Sequence, residues 1–345
     1  MRDKSYHEIN YIRSLKFVIM SNIKDLIELC RGRHIFIQTH NFPDPDAIST
    51  GFALHEILNH FGVDSSLCCS GLIDRISTER LLNLINMKFY NENELLDVMS
   101  KDDYIVCVDS QKAGGNITNF SGDIIACIDH HPTYVEVDYK WSQIETIGAC
   151  ATLMVEHYQS LGIEPSKECA TALLYGIKLD TMHFTRGVTD RDIEAFRYLF
   201  NRADRDELQF LETNNIESND LKAYGTAIRN VQIYDRVGIS KLSFSCPDAL
   251  IASLSDFILS LQEVDVAIIY SKRKEGYKFS VRSMVKNVDA GKLTNLTLSG
   301  IGNGGGHASM AGGCIPKDNI KLLGAFPDEY IVESFLKNIK VMLEG

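Results

Sequence analysis

Two stretches constrain the fold most. "DDYIVCVDS" (102–110) and "DIIACIDHH" (123–131) are continuous apolar runs, not alternating ones, and each ends abruptly in acidic or imidazole side chains. A strand that is apolar on both faces must be covered on both faces. Such strands, alternating with helices, indicate a parallel sheet with helices packed above and below. "HIFIQ" (34–38) and "VDSSLCC" (63–69) read as two further strands of it. The helices that alternate with them are "AISTGFALHEILNHFG" (47–62), "ISTERLLNLIN" (76–86), "GACATLMVEHYQSLG" (148–162), "SKECATALLYGIKLDT" (166–181) and "TDRDIEAFRYLFNRAD" (189–204), the last with Thr189 as its cap.

The chain has 345 residues, enough for two domains. Residues 1–32 read as a helical lead-in. The text turns polar around 205–225, which predicts a linker over 211–225 between a first domain of residues 1–210 and a second of residues 226–345. In the second, strands reappear in "VGISKLSFSC", "VDVAIIYSK" and "YKFSVRS", followed by a glycine-rich turn, "GIGNGGGHASMAGG" (300–313). The expected architecture is α/β: an N-terminal parallel-sheet domain and a smaller C-terminal α/β domain, with a cleft between them.

A net charge of −11 excludes a protein that coats nucleic acid through a broad basic surface. The nine cysteines form no CxxC pair, so a structural zinc site of the usual spacing is not expected, and free buried thiols fit a cytoplasmic protein. The N-terminal segment carries charges throughout and is not a signal peptide. No apolar run approaches the roughly 20 residues needed to span a bilayer. The sequence leaves a homodimer open.

In a parallel sheet the carboxyl ends of the strands lie along one edge, where ligand sites form. His40, Asp44 and Asp46 follow the first strand, Asp109 follows the third, and Asp129, His130 and His131 close the fourth. A further acid, Asp180, closes a helix. Convergent carboxylates need compensating positive charge to stay ionised, and two divalent cations supply it. Oxygen and imidazole donors suit Mn²⁺ or Mg²⁺ better than a structural zinc. Such a pair of cations activates water and clamps a phosphoryl group. Each piece alone has a bland reading: Asp44 as a helix cap, Asp109 as a loop residue, His130 as a hydrogen-bonded structural histidine. The set, each member at a strand end of one sheet, favours the metal reading.

The motifs resemble those of the DHH phosphoesterases. They stand in order as "HNFPDPDA" (40–47), "VCVDS" (106–110), "IDHHP" (128–132) and "YGIKLDT" (175–181). "GNGGGHASMAGG" (302–313), preceded by "FSVRS" (279–283), resembles the DHH-associated substrate domain with its GGGH loop. The resemblance spans roughly residues 30–315. It implies metal ligands His40, Asp44, Asp46, Asp109, His130 and Asp180, with Asp109 bridging two ions of manganese, magnesium or cobalt. It implies that His131 faces the phosphate and the leaving oxygen, and that Asp129 orients the imidazole ligand. It assigns Arg282, Ser283, Gly304, Gly305, Gly306 and His307 to the substrate. Two departures from the common pattern are Pro45, where many members carry glycine, and Met310, where small residues are frequent.

Known substrates in this family range from short oligoribonucleotides, bisphosphonucleosides and cyclic dinucleotides to longer single-stranded DNA, pyrophosphate and polyphosphate. The acidic chain has little room for a long basic channel, so neither long duplex DNA nor a membrane is an expected partner. "SKRKEGYKFSVRS" (271–283) places Lys272, Arg273, Lys274, Lys278 and Arg282 near the expected cleft. Lys272, Arg273 and Lys274 read more simply as a solvated hairpin turn, whereas Arg282 lies on an alternating strand, and the site reads as a short electropositive pocket. The expected substrate is a small nucleotide or short single-stranded oligonucleotide, hydrolysed with Mn²⁺. A cyclic-dinucleotide phosphodiesterase or receptor, and a pyrophosphate or polyphosphate hydrolase, are the alternatives. No aromatic stacking platform is assigned by the sequence.

Overall fold

The computed structural model describes residues 22–71, 73, 76–133, 135–213 and 215–344. The chain divides into two compact units, with the boundary after Asn215. The first 21 residues of the expected lead-in lie outside the described residues. Its end is helix α1 (Ile23–Cys30), capped by Asn22, whose side chain accepts from Lys24 N–H.

The first unit is a six-stranded sheet. Its strands are β1 (Ile35–Gln38), β2 (Ser65–Cys68), β3 (Phe89–Tyr90), β4 (Tyr104–Val108), β5 (Asp123–Asp129) and β6 (Trp141–Ile144). They lie in the order β3-β2-β1-β4-β5-β6, and every adjacent pair is parallel. The continuous apolar runs are the inner strands β4 and β5, buried from Ile105 to Val108 and from Ile124 to Asp129. The two short edge strands β3 and β6 escape sequence reading because neither carries a sustained apolar pattern. The strand order reverses between β1 and β4, so the chain leaves those two strands in opposite directions and opens a crevice at their carboxyl ends.

Helices α2 (Pro45–His60), α3 (Ile76–Ile85), α5 (Cys150–Leu161), α6 (Lys167–Asp180), α7 (Asp190–Leu199) and α8 (Arg205–Glu212) pack with the short α4 (Glu92–Leu95) around this sheet. The core is continuous from Ile35 and Ile37 on β1 through Ile48, Leu54 and Ile57 on α2 to Leu173, Leu174 and Ile177 on α6. Each such side chain, fully buried, stabilises the unit by about 1.5–3 kcal/mol before the entropy of ordering it is subtracted. The polar stretch expected as linker is helical in part. Asp204 Oδ1 accepts from the N–H groups of Asp206 and Glu207 and starts α8, and Leu211 anchors that helix in the core. Only residues 213–217 separate α8 from the 3₁₀ turn Ser218–Asp220 and α9 (Leu221–Asn230).

The second unit is a mixed six-stranded sheet: β7 (Gln232–Tyr234), β8 (Val237–Leu242), β9 (Val266–Arg273), β10 (Gly276–Ser283), β11 (Asn303–Gly306) and β12 (Met310–Pro316), in the order β11-β12-β10-β9-β8-β7. Helices α10 (Asp248–Leu259), α11 (Ala290–Leu298) and α12 (Pro327–Glu344) complete it. The glycine-rich segment is a β-hairpin whose turn is residues 307–309. Gly304, Gly305 and Gly306 are strand β11, paired with Gly313, Gly312 and Ala311 of β12. Among the described residues no helix is long and apolar enough to cross a membrane. All nine cysteines are free thiols, eight of them buried.

Candidate metal centre

The polypeptide places its acidic and imidazole groups by ordinary helix-capping chemistry. Asp44 is the N-cap of α2; its Oδ1 accepts from the N–H groups of Asp46 (3.0 Å) and Ala47 (3.1 Å), and Pro45 occupies the first turn, where no N–H is needed. Asp46 does the same for another helix. Its Oδ2 and Oδ1 accept from the N–H groups of Cys150 (2.7 Å) and Ala151 (2.9 Å) at the start of α5, whose own N-cap, Ala149, has no side-chain acceptor. The bland capping role and the position at the crevice therefore coexist in both aspartates. Helix α6 reaches the same place because Gly176 lets it lie flush on α2: a Cβ there would sit 2.5 Å from Ser49 Oγ and 3.1 Å from the Asp46 Cα. That close approach brings Asp180, the last residue of α6, beside Asp46 and His130.

Asp109 follows β4 with φ of 53°, a left-handed backbone rare for a non-glycine residue. Its carboxylate faces two ways. Oδ2 lies 3.5 Å from His40 Nε2, and Oδ1 lies 3.3 Å from His130 Nε2. Three sets of donor atoms gather here: His40, Asp44 and Asp109; Asp46, His130 and Asp180; and Asp109, His130 and His131. The first two sets meet through Asp109, each having one of its oxygens in reach.

The tautomers decide what this centre can hold. His40 Nδ1 lies 2.9 Å from the Asn41 carbonyl and His130 Nδ1 lies 3.0 Å from the Ile147 carbonyl. A carbonyl only accepts, so both Nδ1 atoms carry hydrogen and both Nε2 atoms turn toward carboxylates. An Nε2 lone pair and a carboxylate repel unless a cation lies between them. Asp109 Oδ1 is buried and finds no hydrogen-bond partner among the described residues. Such an orphan, ringed by carboxylates and by imidazoles fixed in the ligating tautomer, fits divalent cations.

Without a metal, protons carry the compensating charge. Burial pushes His130 down, but Asp109, Asp46 and Asp180 outweigh it and raise the imidazole to about 11. His40 is raised by Asp109 and Asp44 against the same burial. Burial raises Asp109, yet His130, His40 and His131 together hold it well below the carboxylate range. Asp46 is raised by burial and by Asp109 and Asp180. Asp180 is raised to about 6, by burial and by Asp44 and Asp109. Like-charge strain therefore resides on Asp46 and Asp180.

The second histidine is wired differently. Asp129, fully buried, accepts from His131 Nδ1 at 2.7 Å, and its other oxygen accepts from Gln111 Nε2 at 2.7 Å. Gln111 also donates to the His131 carbonyl (3.0 Å). Asp129 thus orients His131, not the His130 imidazole for which sequence reasoning reserved it. Gln111 and Arg186 were missed. Arg186 Nη2 reaches the Asp180 carbonyl and lies 3.2 Å from its Oδ1. It follows three consecutive left-handed residues, Met182, His183 and Phe184. A carboxamide after a strand and an arginine after a helix leave no periodic trace in the sequence.

The residues expected to meet substrate in the second unit are placed as follows. Arg282 is buried and pairs with Asp256, Nε to Oδ1 at 2.6 Å, and its Nη1 reaches Ser280 Oγ and the Val281 carbonyl. Ser283 is buried and its Oγ accepts from Val285 N–H (3.2 Å). Arg273 and Lys278 share one carboxylate, Asp248, so the basic cluster is only partly neutralised within its own unit. The exposed His307 sits in the turn between β11 and β12, its N–H bonded to the Met310 carbonyl. Gly304 and Gly313 face α11, where a Cβ would come within 2.6 Å of Thr294 and 2.4 Å of Leu298. Gly305 has nothing within 4 Å, and its cross-strand partner Gly312 only the Phe279 carbonyl at 3.7 Å. Packing explains the first pair and not the second.

The family model of the DHH family, N-terminal domain, matches residues 34–177, and that of the DHHA1 domain matches residues 235–333. A probable manganese-dependent inorganic pyrophosphatase of Clostridium acetobutylicum is 31% identical over 176 residues, covering 50% of this chain and 56% of that protein. The cyclic-di-AMP phosphodiesterase GdpP of Geobacillus thermodenitrificans is 22% identical over 319 residues, covering 85% of this chain and 46% of that protein. This chain thus spans about half the length of each. An exopolyphosphatase-related protein from Bacteroides fragilis shares the fold, with a TM-score of 0.72 at 20% identity over 90% of this chain and 96% of that one.

Proposed function

Because the chain belongs to the DHH family, its DHH domain followed by a DHHA1 domain, we propose that it is a two-metal phosphoesterase acting on small nucleotides or short oligonucleotides. The observation that carries the reading is the Asp109 carboxylate, one oxygen toward His40 and the other toward His130. His40, Asp44 and Asp109 would hold one ion; Asp46, His130 and Asp180 would hold the other. Bound there, the cations supply Lewis acidity and a water ionised near neutral pH. The donor set and the manganese in the pyrophosphatase relative's name support Mn²⁺.

The chain's own groups do the rest. The Asn41 and Ile147 carbonyls keep Nε2 of both ligating imidazoles turned inward. His131, its Nδ1–H held by Asp129, presents its ring edge beside Asp109 and serves as the proton donor to the leaving oxygen. Arg186 holds Asp180 and balances its charge. In the second unit the bare Gly305–Gly312 face offers backbone without side chains, a surface that a flat base or an anionic phosphate can approach closely.

Coverage does not separate the relatives: a cyclic-di-AMP phosphodiesterase matches 85% of this chain, and a probable manganese-dependent inorganic pyrophosphatase of Exiguobacterium matches 78% of it. A cyclic-dinucleotide phosphodiesterase is the second reading, and pyrophosphate belongs in the same test. The test is a panel with Mn²⁺: di- to pentaribonucleotides, 3′,5′-bisphosphonucleosides, cyclic dinucleotides and pyrophosphate. Turnover of a nucleotide supports the proposal. Turnover of pyrophosphate alone, or of nothing while Mn²⁺ binds, overturns it.

A further inference from the structure

Within the first motif, two residues after His40 and two before Asp44, stands Phe42. Two residues of chain span at most about 7 Å, so its Cα lies within that distance of each of theirs. Its side chain is 61% exposed. Single exposed aromatics are common and need no explanation by themselves. This one differs in three respects. Its backbone is left-handed, with φ of 56°, a conformation costly for a bulky residue and natural to glycine or asparagine. The loop around it is pinned: Phe42 N–H donates to the Ser70 carbonyl (2.8 Å), Asn41 N–H to the Asn116 carbonyl (2.7 Å), and Asn41 Oδ1 accepts from Thr118 N–H (3.0 Å). Finally, the ring has a seat. Gly71, itself at φ of 87°, lies so close beneath it that a Cβ there would come 2.6 Å from Phe42 Cδ1.

A strained backbone, a glycine cut to receive the ring and a rigid loop hold an apolar plate in water two residues from His40 and from Asp44. Folding gains nothing from the exposed part of that ring. We infer that Phe42 is a stacking platform for the nucleobase next to the scissile phosphate, so that this centre selects a nucleotide over a bare polyphosphate. Stacking suits the position because every base has an apolar face, which gives affinity without choosing one base. The inference rests on the phosphoesterase reading and narrows its substrate class.

The test compares a 5′-phosphorylated diadenylate with the same backbone lacking its bases, both with Mn²⁺, and adds a titration of a 2-aminopurine dinucleotide followed by base fluorescence in Ca²⁺. Wild type should prefer the base-bearing substrate by about 10- to 100-fold, the ratio that one stacked base supplies. Phe42→Ala should erase that preference, leave abasic turnover within about threefold and abolish the fluorescence quench. Phe42→Trp should restore both, which a variant that merely damaged the loop would not allow. If wild type turns over both substrates and Phe42→Ala lowers them equally, the stacking inference falls and the phosphoesterase reading stands. If wild type hydrolyses neither but quenches 2-aminopurine through Phe42, the activity reading falls and the stacking stands. Absence of both signals overturns both.

Discussion

His130 Nε2 lies 3.3 Å from Asp109 Oδ1 while its Nδ1 is committed to the Ile147 carbonyl, so the imidazole meets the carboxylate as a metal ligand or, without metal, as a cation. In the proposed reading Asp109 would bridge two ion sites, and without metal it is the counter-charge for the imidazoles. Asp109→Asn should reduce Mn²⁺-dependent hydrolysis at least about 10³-fold by removing the shared ligand. The metal-free variant should also be less stable than metal-free wild type at pH 7, because His130 and His40 lose the group that holds their protons. Hydrolysis assays and melting curves with EDTA or Mn²⁺ check both. Activity within tenfold of wild type would sink the two-metal reading.

The two adjacent histidines should separate cleanly. His130→Ala removes a ligand and should weaken Mn²⁺ binding in calorimetric titration. His131→Ala removes a group that Asp129 and Gln111 fix from behind, and should lower kcat about 10²–10⁴-fold with metal affinity little changed. Asp129→Asn should lower kcat to a similar extent, since one of its two acceptor oxygens becomes an N–H₂ that faces either the His131 Nδ1–H or the Gln111 N–H. Equal loss of metal affinity in both histidine variants would refute this division.

Much of this centre is readable before folding because its members share one rule: each stands where a strand or helix ends. That rule places His40, Asp109 and His130 on one edge as soon as the sheet is known to be parallel. What the sequence conceals is which partner each group takes. Whether Asp129 serves His130 or His131 depends on the rotation of one peptide after β5. Whether Arg282 is available to a phosphate depends on Asp256, 26 residues upstream on α10, reaching it. The glycines of β11 mislead for a related reason: glycine suggests a turn locally, while the packing of Thr294 and Leu298 makes it a strand requirement.

Stability should carry a signature of a histidine far from the metal residues. His157 on α5 is buried, its Nε2 finds no partner among the described residues, and burial lowers its imidazole from 6.5 to about 4. The unfolded chain then takes up a proton that the folded one refuses. Stability from this residue is complete above pH 6.5 and is lost as pH falls toward 4, by about 2 kcal/mol at pH 5. Metal-free His157→Phe should lose less stability than wild type between pH 7 and pH 5. Parallel melting-temperature profiles would show that the imidazole is not kept neutral.

Arg282 is committed inside its own unit. Asp256→Ala leaves the buried Arg282 guanidinium without its partner and should destabilise the second unit by about 1–3 kcal/mol, whereas Arg282→Ala leaves a half-exposed carboxylate and acts through lost packing. The two variants should also lower activity similarly on every substrate. A rise in KM for nucleotides alone, with melting unchanged, would instead return Arg282 to a direct role with the phosphate.

The glycines of β11 offer the sharpest contrast between packing and function, because neighbours in one strand point to opposite faces. Gly304→Ala drives a methyl to 2.6 Å from Thr294 Cγ2 and 3.1 Å from Leu298 Cδ1, so α11 must move and the second unit should lose about 1–3 kcal/mol. Gly305→Ala meets nothing within 4 Å and should leave the melting temperature within about a degree. If the Gly305–Gly312 face receives substrate, Gly305→Ala should still raise KM for a nucleotide about tenfold. The added methyl keeps a flat ligand from the backbone, at a loss of about 1.4 kcal/mol of binding. Turnover of bis-p-nitrophenyl phosphate, too small to need that surface, should be unchanged. A Gly305→Ala enzyme indistinguishable from wild type on every substrate would remove this face from the site and leave specificity to the first unit alone.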